Sequence, residues 1–357
     1  MSVDLKLSPI AVSKIIPYYM IPYGVGALLY APLAKKVSIK TIMVVSMIFL
    51  ALSNFLCAFT HSLAQLLFFR VMMGIVAASV IPLGLIIIGK SFEAGIRGRM
   101  VGTFFSASFV ASMVGIILSG LIDWRWLFFI PTFLGLGAAI FVGIFRSDLL
   151  KKIDGKPIDY LNVFYDREIR NVFIFIFFVS MFYHGVYRWL GVYLDQVYHL
   201  QKFAISIFFV LRAMGGILGR NIGGQLTDRR GRYGSCLVGI VILSGATMLL
   251  YGIFPLYILA MIFVASAVGW TIGHNGLSTV LTDFPDERRS EIASLNSSVR
   301  FLSGGAGFSL SGFFVEKNFG FGLTFLTIGI LMFFSSLFLR KIVPVNYSTK
   351  QKGLLDV

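Results

Sequence analysis

Apolar runs follow one another along this chain, broken only by short polar segments. A run of about 20 residues is enough to cross a bilayer as a helix. Eleven can be read, at roughly 9–34, 41–60, 64–89, 100–122, 126–145, 171–194, 203–227, 235–254, 256–281, 293–315 and 321–340. Within them the apolar residues are continuous. The strands of a membrane barrel alternate apolar with polar residues, so the pattern predicts helices. Ser8-Pro9 predicts the start of the first, with proline at the first helical position.

The runs form two related sets. Gly115-x-x-x-Ser119-Gly120 matches Gly307-x-x-x-Ser311-Gly312 at an offset of 192, and Arg97 matches Arg289 at the same offset. Pro32-Leu33-Ala34-Lys35-Lys36 aligns with Gln225-Leu226-Thr227-Asp228-Arg229 at 193. Two repeated helical halves are the signature of a transporter that rocks one half against the other around a central site. The expected organisation is a five-helix half at 1–146, a cytoplasmic linker at 147–170, a six-helix half at 171–346 and a cytoplasmic tail at 347–357. Shifting 171–194 back by 192 gives positions before residue 1. The expectation is a mis-set start codon or truncated gene that removes the first of twelve helices. The alternative is a protein of eleven.

Composition agrees with the pattern. The chain of 357 residues is 57% hydrophobic and 13% charged, with mean hydropathy +0.86. A soluble domain carries about a quarter charged residues. The expected class is an all-α integral membrane protein of the cytoplasmic membrane. The net charge of +15 points to topology rather than nucleic acid. Of 31 Lys and Arg, 21 fall in alternate connections and the tail; five (Lys6, Lys14, Arg125, Lys202, Lys317) fall on the other side, and five lie within runs. That asymmetry puts the rich side in the cytoplasm and the N-terminus outside. A basic inner face also meets anionic lipid. Cys57 and Cys236 both fall in runs and are expected to be reduced and inert. The first eight residues do not read as a signal peptide.

Gly224-Gln225-Leu226-Thr227-Asp228-Arg229-Arg230-Gly231-Arg232 resembles the loop motif G-x-L-x-D-R-x-G-R of the major facilitator superfamily. Arg70-x-x-x-Gly74 resembles that family's fourth-helix motif, and Asp123-Trp124-Arg125-Trp126 its entry to the sixth helix. The resemblance covers essentially the whole chain. It implies two pseudo-symmetric helical halves. The first-half loop copy departs from the pattern, with Lys35, Ser38 and Ile39 where the family has Asp, Gly and Arg; Met73 replaces the usual Gln. The fifth-helix antiporter motif reads Gly102, Ala111, Gly115, Ile116, Ser119, Gly120, without its proline. Gly115, Gly120, Gly307 and Gly312 can equally serve close helix packing. Arg70 reads as a structural cap beside Gly74.

A carboxylate is stabilised at a helix N-terminus. Asp228 is therefore expected at the cytoplasmic start of the 100–122 run, helped by Arg229 and Arg232; with Gly224 and Gly231 they make up the expected gate, a lock on the cytoplasmic side. Lys35 cannot make the equivalent contact, so the lock is single. Polar residues at membrane depth are functional candidates. Ser180, His184 and Arg188 share one helix face, flanked by Tyr183 and Tyr187. Arg212 lies about nine residues into its run, roughly 14 Å deep. Trp270, Thr271, His274 and Asn275 cluster in another. The resemblance implies that these three helices line a central cavity. The expected substrate site is therefore Tyr183, His184, Tyr187, Arg188, Arg212, Trp270, His274 and Asn275, holding an anionic or hydrogen-bonding solute. His184 can also titrate as part of coupling.

The sequence shows no phosphate loop, no metal-ligand spacing and no nucleophile–base pair, so neither enzyme activity, a cofactor nor a metal is expected. Two functions stay open. One is a monomeric secondary transporter working by alternating access, either effluxing amphipathic compounds or carrying an organic anion. Its partners would be the solute, a coupling proton or counter-ion, and the bilayer. The other is a non-transporting ligand sensor on the same fold.

Overall fold

Lipid offers the backbone no hydrogen bonds, so a chain of apolar runs satisfies its amides within helices. The computed structural model describes residues 1–145, 148–153, 158–281, 284 and 288–343, and all regular structure among them is helical. The side chains of Arg97, Asp228 and Arg289 lie outside what it describes, as do Asp154-Gly155-Lys156-Pro157 of the linker and the tail at 347–357. The main helices are α1 (Pro17–Lys36), α2 (Ile39–Ala58), α3 (Leu63–Ser91), α4 (Ala94–Leu121), α5 (Trp126–Ile144), α6 (Arg167–Tyr198), α7 (Lys202–Thr227), α8 (Arg229–Leu249), α9 (Leu256–Leu281), α10 (Arg289–Phe314) and α11 (Gly320–Ile342).

Nine of these described helices contain a stretch long and apolar enough to cross a membrane; α1 and α10 are helical but more polar. In α1 the cause is its tyrosines, prolines and glycines. In α10 it is a series of serines with Asn296 and Arg300. Local chemistry sets the helix starts. Ser38 and Ser62 accept from the amides of Thr41 and Gln65, and Asp166 caps α6 through the amides of Glu168 and Ile169.

Three expected boundaries move. The 9–34 run is not one helix: a short turn at Pro9–Ser13 ends before Pro17 restarts the chain as α1. The run at 171–194 starts earlier, at the Asp166 cap, and breaks between Tyr187 and Leu190. α8 starts at Arg229 rather than 235, and the bend from α7 is completed at Gly231, with φ 69° and ψ 178°. That left-handed φ suits glycine.

The chain clusters into two units, Met1–Val163 with Glu287–Ala306, and Phe164–Asp286 with Gly307–Val357. In the first, Tyr23, Tyr30, Ile39 and Leu83 form one core and Cys57, Leu66, Met73 and Trp124 another. The segment expected as a polar linker is fastened to α1. The Ile153 amide donates to the Ala34 carbonyl at 2.8 Å, and the Tyr160 hydroxyl donates to the Leu28 carbonyl at 3.0 Å. Leu150 and Val163 are buried beside them. Burial pushes the Tyr160 phenol above its ordinary pKa. The first part of α10 also packs in this unit: Phe301 stacks on Tyr23 at 3.6 Å, and Leu302 covers Gly24. The repeat boundary in the sequence therefore differs from the packing boundary at 287–306.

In the second unit α8 and α9 touch backbone to backbone, since a Cβ on Gly239 would strike the Gly273 amide. Trp189, Phe173, Phe263 and Phe325 fill its interior. Cys57 and Cys236 are buried free thiols in separate units.

Candidate functional site

The second unit gathers most of the expected site residues from three helices. On α6, Tyr183 is buried and Tyr187 follows one turn later. Their rings lie 5.3 Å apart at 15°. From α9, Trp270 stacks on Tyr183 at 3.6 Å and 3°. The His184 ring stands edge-on to Trp270 at 6.1 Å, and His274 to the same indole at 5.5 Å. His274 Nδ1 shares a 3.3 Å hydrogen bond with the Ser278 hydroxyl.

α7 brings Arg212 to this aromatic wall. Its side chain is only 8% exposed. One terminal nitrogen donates to the Tyr183 hydroxyl at 2.8 Å, and the guanidinium carbon sits 4.0 Å from the Tyr187 ring centre. An aromatic face attracts a cation but leaves its charge uncancelled. Nε of Arg212 has no hydrogen-bond partner, and no carboxylate pairs with the group among the described residues. The buried Ser180 hydroxyl, one turn before His184, also lacks a partner there. Arg188 lies 5.3 Å from the Tyr187 ring centre and its Nε is likewise unpaired. Buried polar atoms are nearly always satisfied by protein, water or ligand. These atoms keep hydrogen-bonding capacity that the described residues do not use.

Asn275 stands apart. Its amide nitrogen donates to the Arg220 carbonyl at 3.1 Å, tying α9 to α7. Thr271 is used within its own helix, on the Ala267 carbonyl. Phe209 was not singled out by sequence reasoning, yet it lies edge-on to Tyr187 at 6.0 Å. The signal was its place one turn before Arg212 on α7.

Of the expected lock, Gly224 faces open space, Arg229 is exposed and Gly231 supplies the bend beside Arg232. The Asp228 carboxylate lies outside the described residues. Arg70 Nε donates to the Ile15 carbonyl at 3.2 Å, in the break before α1, and its guanidinium covers Tyr19 at 4.8 Å. Gly74 lets α3 meet α1, because a Cβ there would strike the Tyr19 carbonyl. Gly307 and Gly312 lie against α6, under Met181 and Trp189, whereas Gly115 has nothing within 4 Å of where a Cβ would stand. Gly120 is half-buried on the same helix.

Nine described helices long and apolar enough to cross a membrane define a multi-pass membrane protein. The sequence profile of the Major Facilitator Superfamily matches residues 1–308, and the chain belongs to that family. The MFS-type transporter YwfA of Bacillus subtilis (strain 168) is 25% identical over 346 residues, covering 91% of this chain and 82% of YwfA. Multidrug resistance protein 3 of the same organism is 27% identical over 128 residues, 35% of this chain and 25% of that protein. Among solved structures, the nucleoside transporter NupG superposes with a TM-score of 0.75 at 13% identity, over 96% of this chain and 93% of NupG. The fold is therefore that of a multi-pass cell-membrane transporter of small molecules, and membership points to transport rather than catalysis.

Proposed function

We propose that this protein is a monomeric secondary transporter that moves a small organic anion across the cytoplasmic membrane by alternating access. One observation carries the reading: Arg212 is a buried guanidinium with an aromatic wall, a tyrosine hydroxyl and no carboxylate partner among the described residues. A cation at membrane depth costs several kcal/mol unless something compensates it. Rings and one hydroxyl compensate in part. An anionic solute completes the pairing, and the planar fork favours a carboxylate or phosphate held by two hydrogen bonds. Trp270, Tyr183 and Tyr187 suit a flat apolar body on that solute. His184 and His274 are the titratable groups at the cluster and would carry a coupling proton. Asp228, Arg229 and Arg232 retain the role of a cytoplasmic lock, with the basic loops facing inward.

The partial likeness to Multidrug resistance protein 3 favours a second reading, efflux of amphipathic compounds through the same aromatic wall. Counterflow in proteoliposomes separates the two. Benzoate should exchange, while neutral benzamide and cationic benzylamine should not. Arg212→Gln should lower benzoate counterflow at least tenfold with the protein still inserted, and Arg212→Lys should restore it only in part. Normal exchange by both variants, or preference for benzylamine, overturns the anion reading. Benzoate binding without any exchange indicates a sensor.

A further inference from the structure

The second unit also holds a crevice of about 240 Å³ that the anion site does not use. It opens between α6, α10 and α11. Met181 and Phe182 line it from α6, Leu310 and Phe314 from α10, and Ile328 and Leu331 from α11. Two of its three hydroxyls are engaged, Ser311 donating to the Gly307 carbonyl at 2.9 Å and Thr324 to the Gly320 carbonyl at 2.6 Å, and Thr327 supplies the third. The described walls therefore offer a guest carbon and almost nothing polar, which excludes the charged solute proposed for Arg212.

The shape has a local cause. Gly307 pins α10 against the Met181 carbonyl of α6. Beyond Phe314 the chain widens into a π-turn, Val315–Phe319, and reverses at Gly320 with φ 65°. α10 and α11 thus part around a space that α6 closes on one side. From Gly320 to Leu331 is about 16 Å of helix, close to half the hydrocarbon thickness of a bilayer. Lys317 stands exposed on the π-turn, its ammonium 5.8 Å from the Phe313 ring centre. Lys317 thus stands between two residues of the lining, Phe314 and Phe319, on the turn that joins α10 to α11.

We propose that this crevice binds one acyl chain of a glycerophospholipid, with the lipid phosphate at Lys317. The lipid belongs to the leaflet that meets the α10–α11 turn, the outer one if the basic loops face inward. A lysine whose stem crosses apolar surface and whose head reaches the interface is suited to a phosphate. The guest would wedge α11 against α10 beside the Gly307 contact, so lipid binding and the packing of that contact are coupled.

The test uses the full-length protein in liposomes containing a phosphatidylglycerol with a diazirine in one acyl chain. After irradiation, peptides carrying Met181, Leu310 and Leu331 should hold most of the label. Leu331→Trp and, separately, Thr327→Leu fill the slot and should each cut that labelling at least fivefold, while labelling of exposed α4 stays constant. Lys317→Glu should cut it at least threefold. Label spread evenly over the lipid-facing helices, or unchanged by either filling variant, overturns the proposal. Loss on filling with indifference to Lys317→Glu also overturns it, because an apolar solute without a phosphate would then be the occupant. Benzoate counterflow in the same vesicles should persist in the filled variants, which keeps the result separate from the fate of the anion reading.

Discussion

α4 and α10 carry the same Gly-x-x-x-Ser-Gly pattern, and the structure treats them in opposite ways. On α10, Gly185 of α6 meets the Ser311 hydroxyl and the Gly307 carbonyl, and Gly312 lies under the Trp189 indole. Trp189 then stacks on Phe308 at 4.4 Å and donates to its carbonyl at 3.0 Å. On α4, Gly115 faces open space and the Ser119 hydroxyl turns back to the Ile116 carbonyl. None of the membrane-length stretch of α4 is buried. What Gly307 and Gly312 have, among the described residues, is a partner helix, α6, and Gly115 has none within 4 Å. A small-residue motif permits two backbones to approach; a partner with its own glycine at the right height turns the permission into a contact.

The sharpest way to break the comparison is Gly307→Leu beside Gly115→Leu. The first should destabilise the protein by about 3 kcal/mol, since the new side chain meets a backbone carbonyl that cannot move aside. The second should change stability by about 0.5 kcal/mol or less. Thermal unfolding in detergent, followed by loss of the monodisperse peak, measures both. Equal damage would mean that α4 is covered in the working protein as α10 is. A smaller effect belongs to Trp189→Phe, which keeps the stacking and removes the hydrogen bond to the Phe308 carbonyl; it should cost about 1 kcal/mol. Trp126→Phe on α5, where the ring is 63% exposed, should cost nothing measurable. The smallest difference separates Ser311→Ala from Ser119→Ala. Each hydroxyl bonds a carbonyl of its own helix, so each change should stay near 0.5 kcal/mol. Ser311→Ala should be the larger, because that hydroxyl also fills space against Gly185. A larger loss from Ser119→Ala would show that the α4 serine has a partner in the membrane.

Much of this was legible in the sequence. Helix type followed from continuous apolar runs, and the cap at Ser8 from a serine standing before a proline. Tyr183, Tyr187, Arg212, Trp270 and His274 were candidates because polar and aromatic residues at depth need a reason to be there. The pairing of Tyr23 with Phe301 was not legible, because nothing local joins positions so far apart in the chain. Asn275 resembled its cluster neighbours by spacing, yet helical rotation aims it at the Arg220 carbonyl. The linker read as solvent-facing because its residues are polar. Leu150 and Val163, two of its apolar side chains, are buried.

The sequence by itself determined the class of protein: the rough placement of its apolar helices, the repeat and the family. These depend on composition and short-range spacing, which a chain carries before it folds. Only the tertiary structure decided that Arg212 meets Tyr183 and Tyr187, that the start of α10 packs with the first unit, and that one copy of the repeat is a contact while the other is a bare face. Those outcomes depend on which helix stands beside which. Adjacency is set by the sum of many weak packing contacts across the bundle, and no stretch of sequence contains it.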